Sequence, residues 1–266
     1  MGPLLTRIYK KTFWNTYDHI GQLILLNLLW FLIFPLPTFL IFRYLPFTGY
    51  TQLTFTFLAG LLTHSYATPG VFALTARLAD YQQTHLRSFF SEAKTYYLRT
   101  LMLSLLFGGI FFLLTYSIGF YISVKIGFGL LGFFLAGIQI WIGAFALIMQ
   151  VYLLPLLVGK NWDLKPVLKW STLLIILKPG FTILLFLQAL AIFILITITG
   201  VGAVLLLMSI ISIFLNTALR ETLREMDTTM KPKKKPTSWK EIFAEREKEE
   251  EEEKRTLKDL FRPWDT

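Results

Sequence analysis

Over the first 219 residues the apolar side chains do not alternate with polar ones. They run on in stretches of about 20 residues, long enough as helix to cross a hydrocarbon core of roughly 30 Å. These stretches lie near Ile20–Phe42, Gln52–Leu74, Thr100–Val124, Gly127–Leu157, Pro179–Thr199 and Val201–Leu219. The pattern predicts an all-α polytopic membrane protein with about six transmembrane helices. The fourth stretch exceeds what a bilayer needs, so it tilts or extends past Gln150. Only Thr199, Gly200 and Gly202 separate the fifth from the sixth, and a short re-entrant hairpin is the alternative to two full crossings. The first stretch is too long for the core of a signal peptide, carries Pro35 and Pro37, and is followed by no small-x-small cleavage pattern. It is expected to stay as a span.

Two polar segments between the stretches carry a second pattern. From Asp80 to Arg99, helical spacing gathers Phe89, Phe90, Ala93, Tyr96 and Tyr97 among charged residues. From Asn161 to Lys178, Trp162, Leu164, Val167, Leu168 and Trp170 stand against Lys165 and Lys169. Both read as amphipathic helices at the cytoplasmic interface, where Trp and Tyr prefer to sit. The recurring order of span, amphipathic segment and span suggests two repeats of three spans, which would be inverted relative to each other. After Leu219 the chain turns charged. Lys231–Lys235 is a basic, proline-flanked joint, Ser238 to Glu241 has the spacing of a capping box, and a charged helix is expected to run on through Glu249–Glu253. Leu257, Leu260, Phe261 and Trp264 near the end suit either a docking patch or a frayed terminus. The predicted domains are thus a membrane part, 1–226, and a cytoplasmic charged tail, 227–266.

Charge orients the spans. Of the 26 Lys and Arg residues, only Arg43 and Lys125 fall on one side of the predicted spans, which leaves 24 on the other. The positive-inside rule then puts both termini in the cytoplasm, as an even number of spans requires. The chain has 266 residues, is 55% hydrophobic and has a formal net charge of +9, with a mean hydropathy of +0.57. That composition excludes an ordinary soluble enzyme. Because the basic excess borders apolar runs, the lipid bilayer and its anionic headgroups are the expected partners, and nucleic acid is not. With no cysteine and three histidines, thiol chemistry, iron–sulfur clusters and cysteine-ligated zinc lack their ligands.

No motif carries a recognisable reaction, so no enzyme activity and no cofactor is expected. No Asp, Glu, Lys or Arg lies well inside a predicted span, which disfavours a carboxylate-coupled transporter. His64 is the histidine at membrane depth, and a hydrogen bond to a neighbouring helix is the simplest role for it. Pro35 and Pro37 in the first span and Pro69 in the second remove backbone donors from two neighbouring helices. Paired broken helices are a pointer to a ligand site in transporters; packing kinks near the helix ends are the competing reading. The candidate ligand or partner site is therefore Pro35, Pro37, His64 and Pro69. Asn27, Gln139, Gln150, Gln188 and Asn216 are expected to bond between helices. His85, Ser88 and Glu92 share a helical face, but their order does not suit a hydrolytic triad. Gly108, Gly109, Gly127, Gly129 and Gly132 suit close helix approach.

Several of these residues also carry a family likeness. Asn27-Leu28-Leu29-Trp30 followed by Pro35, the turn at Pro69, Phe89-Phe90, Tyr152 to Pro155, and Lys178-Pro179 resemble the YesL family of bacterial membrane proteins over residues 8 to 226. That family is a domain of unknown function with about six spans, and no catalytic residue is assigned in it. The resemblance implies a bacterial inner-membrane protein and an accessory or assembly role beside the subunits of a carbohydrate ABC-type transporter. The charged tail after Thr229 departs from the short family end. The alternative is a small transporter or channel with its site at Pro35, Pro37, His64 and Pro69.

Overall fold

The computed structural model describes residues 2–44, 49–80, 82, 84–123 and 129–230. Among the described residues all regular structure is helical: α1 (Gly2–Asp18), α2 (Ile20–Ile33), α3 (Pro35–Tyr44), α4 (Tyr50–Leu78), α5 (Ser88–Ile122), α6 (Gly129–Gly159), α7 (Leu164–Leu177), α8 (Pro179–Ile198), α9 (Val201–Leu205) and α10 (Leu207–Met230). The chain divides into two units, Met1–Thr222 and Leu223–Thr266. The basic joint, the capping box and the charged helix expected after Lys231 lie outside the described residues, as do Lys125 and Gly127.

Local chemistry sets the breaks. Pro35 cannot donate to the helix before it, so α2 stops at Phe34 and the chain restarts as α3. Pro179 likewise opens α8 from its first turn, where a missing N–H costs nothing. Gly200 turns between α8 and α9 at φ +62°, a conformation open to a residue without Cβ.

Four stretches are long and apolar enough to cross a membrane: Ile20–Tyr44, which is α2 with α3, then α5, α6 and α8. The other two predicted spans fall short of that standard for different reasons. α4 has the length, but its Thr, Ser, Gln and His side chains dilute its hydropathy. The last apolar stretch is cut at Leu206 into α9 and α10, and α10 soon acquires Arg220, Glu221 and Arg224.

The polar segments also differ from expectation. Ser88 begins a helix that runs without interruption into the third apolar stretch, so α5 is 35 residues, about 52 Å, long. Phe89, Ala93, Tyr96, Thr100, Leu103 and Phe107 form one buried stripe along it, and no glycine or proline falls between them to stop the helix. α7 occupies the second segment and buries Val167, Ser171, Leu174 and Ile175. The N-terminal residues, which the apolar pattern left unassigned, form α1. It buries Leu4, Ile8, Trp14 and Asn15 and turns Tyr9, Phe13 and Tyr17 outward.

Burial is uneven along the helices. α3 and α9 bury no residue, α5 buries none after Phe107, and α8 buries none after Leu185. The core gathers instead around Leu23, Leu26, Trp30, Ala67, Val71, Leu74, Leu78, Phe89 and Ile213. Beside it, ion pairs join the element ends: Lys11 of α1 with Glu221 of α10 at 3.0 Å, Arg220 of α10 with Asp80, Arg77 of α4 with Glu92 of α5, and Arg99 of α5 with Asp163 at 3.3 Å.

Candidate functional site

The two proline-bearing elements lie against each other in opposite directions. Trp30 of α2 meets Thr68 of α4, Phe34 meets His64, and Thr38 of α3 meets Gly60. Trp30 Nε1 donates to the Thr68 hydroxyl at 3.1 Å, and that hydroxyl lies 2.9 Å from His64 Nδ1. His64 thus bonds within its own helix, four residues on, and not to a neighbouring helix as the sequence suggested; Trp30 is the partner that Thr68 finds across the helix contact. The Phe34 ring packs edge-on against the imidazole at 5.0 Å.

One residue beyond Thr68, Pro69 is buried and provides no N–H for the Ser65 carbonyl. The Ser65 hydroxyl bonds the Leu61 carbonyl at 2.7 Å and reaches Ser104 of α5 at 3.2 Å. Gly70 follows, and a Cβ built there would stand 2.8 Å from the Phe89 ring. The glycine is what lets α4 approach α5 this closely.

Pro35 and Pro37 are half-buried in the first turn of α3, His64 is half-buried, and Pro69 lies deeper in α4. The structure therefore brings the neighbours of the two proline sites into one network through Phe34, His64, Thr68 and Trp30. Within it, Trp30 Nε1, the Thr68 hydroxyl and His64 Nδ1 are linked by hydrogen bonds.

A second arrangement surrounds the break at Leu206, where the free ends of two helices face each other. Asn27 of α2, which is fully buried, serves both. Its Nδ2 donates to the carbonyls of Ala203 at 3.2 Å and Val204 at 2.7 Å, while its Oδ1 accepts from the amides of Met208 at 2.7 Å and Ser209 at 3.2 Å. One carboxamide thus caps the end of α9 and the start of α10, the groups a helix leaves unpaired. Ser209 Oγ returns a bond to the Leu23 carbonyl at 2.7 Å, and Asn216 Nδ2 bonds the Phe72 carbonyl at 2.9 Å and Thr75 at 3.0 Å. Sequence reasoning assigned Asn27 and Asn216 to interhelical bonds, but it missed the break that Asn27 serves. Leu205-Leu206-Leu207 contains no glycine or proline to mark it.

The other candidates separate. Glu92 pairs with Arg77, not with His85 or Ser88. The Oε1 atoms of Gln139 and Gln188 are buried with no hydrogen-bond partner. Among the described residues, no group of three His, Asp or Glu side chains is arranged to hold a metal ion. Compared with known proteins, the chain matches no family model, no curated protein and no solved structure.

Proposed function

We propose that this chain is a six-pass membrane protein with both termini on the cytoplasmic side, acting by association as an accessory or assembly subunit and not as an enzyme. The observation that carries the reading is the internal use of polar groups. Asn27, Thr68 and Asn216 bond neighbouring helices, His64 bonds Thr68 within α4, and Asp80, Glu92, Asp163 and Glu221 each meet a cation of another segment. With these groups taken up internally, the outer surface is the main part left to engage another molecule. Six crossings are supported by the partners of the two less apolar elements: α4 and α9–α10 both bond α2 through buried polar side chains, which accounts for their polarity inside a helical bundle. The distribution of 24 of 26 basic residues supports the orientation. The YesL-like residues make a carbohydrate ABC-type permease the first partner to test.

Light cross-linking in native membranes, mild detergent purification and mass spectrometry would test this, using the full chain and a form lacking residues 231–266. Permease or solute-binding subunits that co-purify, and diminish with the truncation, are expected; a chain recovered alone overturns the accessory role. Single cysteines can be placed freely in a chain that has none. At Lys94 and Lys165 they should react only from the cytoplasmic side, and at Tyr44 only from the opposite side.

A small transporter is the second reading, favoured by the interrupted α9–α10 helix and by the unpartnered Gln139 and Gln188 oxygens, both features of ligand pathways. Solute flux in vesicles containing only this chain would establish it in place of the accessory role.

A further inference from the structure

We propose that the outward side of α7 is a binding site for the phosphate headgroup of an anionic phospholipid; the inference rests on the membrane reading above. Val167, Ser171, Leu174 and Ile175 fix one side of α7 in the protein. On another side, Trp162, just before the helix, folds back onto Trp170 with ring centroids 5.7 Å apart and planes tilted by 34°. Lys165 and Lys169, one helical turn apart, are exposed, and neither pairs with a carboxylate among the described residues. Asp163, the nearest acid in the chain, is drawn away to Arg99, which also bonds the Asn161 side chain at 2.9 Å. Asp163 is thus paired from α5, and the two exposed ammonium groups have no carboxylate partner among the described residues.

Position supplies the occupant. α7 joins the end of α6 to the start of α8, both apolar enough to cross a membrane, so it is held where two crossings meet the bilayer surface. Indole rings favour the glycerol and carbonyl level of a bilayer, and lysine heads reach the phosphate level above it. A pair of indoles in contact beside two lysines matches an anionic phosphodiester on an acyl-chain base. An acidic peptide would use the lysines and leave the indoles without a role.

The test uses the full chain in detergent, titrated with phosphatidylglycerol and separately with phosphatidylcholine, with retained lipid counted by native mass spectrometry. The intact chain should retain phosphatidylglycerol preferentially. Lys165→Gln with Lys169→Gln should weaken that retention roughly 10- to 30-fold, the effect of two charges near a headgroup, and Lys165→Arg with Lys169→Arg should restore it. Trp162→Leu should lower it with no change of charge. Arg87→Gln with Lys94→Gln should leave it intact, and an equal loss there would overturn the site in favour of diffuse attraction. Equal retention in the Lys165→Gln, Lys169→Gln form overturns it as well. So does competition by soluble glycerol phosphate, which identifies a free-phosphate site, or by a glutamate-rich peptide, which identifies a protein partner. Extraction of the chain from native membranes by alkaline carbonate would instead refute the membrane reading, and so the two failures are distinguishable.

Discussion

Asn27 makes two donor and two acceptor bonds, the full capacity of a carboxamide. Asn27→Leu keeps the side chain's bulk but leaves two carbonyls and two amides unpaired. The expected cost is about 2–4 kcal/mol, given about 1–3 for an orphaned buried group and smaller net values between membrane helices. Thermal unfolding in detergent would measure it, and hydrogen exchange would locate it: the amides of Met208 and Ser209 should exchange faster, and unchanged rates there would refute the capping role. Gly70 has a different kind of necessity. Gly70→Ala puts a methyl group 2.8 Å from the Phe89 ring, an overpacking worth about 1–3 kcal/mol. Adding Phe89→Leu should recover part of the loss, and strictly additive effects in the double-mutant cycle would show that the two residues do not meet. Residue types at this scale were legible: buried asparagines in an apolar chain had to find partners. Which backbone groups they would serve was not, since that depends on helices far apart in sequence.

At the scale of elements, the apolar runs located α2, α5, α6 and α8, because length and hydropathy are properties of the run itself. Boundaries were harder to read. Chemistry marks Pro35 and Pro179, so those breaks were visible, whereas the break at Leu206 is held open by a side chain of another helix. α5 illustrates the reverse error: its change from charged to apolar composition near Arg99 looked like the end of one element and the start of another, yet the backbone is indifferent to that change. Thr100 is buried within this continuous helix, so Thr100→Pro should cost about 3 kcal/mol or more through the lost hydrogen bond and ring clash. Undiminished folded yield of that variant would mean that a joint exists there. α1 escaped notice because its apolar positions are too few for a span and its outward side is aromatic as well.

Across the whole molecule, charge pairs tie five segments together at one end, through Lys11–Glu221, Arg220–Asp80, Arg77–Glu92 and Arg99–Asp163. Glu221 is only 1% exposed, so removing its cation strands a buried carboxylate. Lys11→Met should therefore destabilise by about 3–5 kcal/mol, while Lys11→Met with Glu221→Leu recovers most of the loss, since an apolar pair replaces a buried ion pair at little cost. If the single and double variants unfold at the same temperature, the pair does not hold α1 to α10. The basic excess was legible in the sequence; the pairing was not, because Glu221, Asp80, Glu92 and Asp163 each meet a base that only the fold brings near. Around Pro35, Pro37, His64 and Pro69 the residue types were legible as well, while the Phe34 and Trp30 contacts beside them come from packing.

The bonds of Asn27 reach across 176 to 182 positions of the chain. On a ribosome adding about 5–20 residues per second, α2 emerges roughly ten to forty seconds before the groups that satisfy its carboxamide. For that interval the N-terminal hairpin carries an unsatisfied polar side chain, which has to be met by water, by the insertion machinery or by another chain. α9 and α10 therefore complete α2, and a ribosome that stalls before Ala203 releases a product in which the Asn27 side chain still lacks its partners.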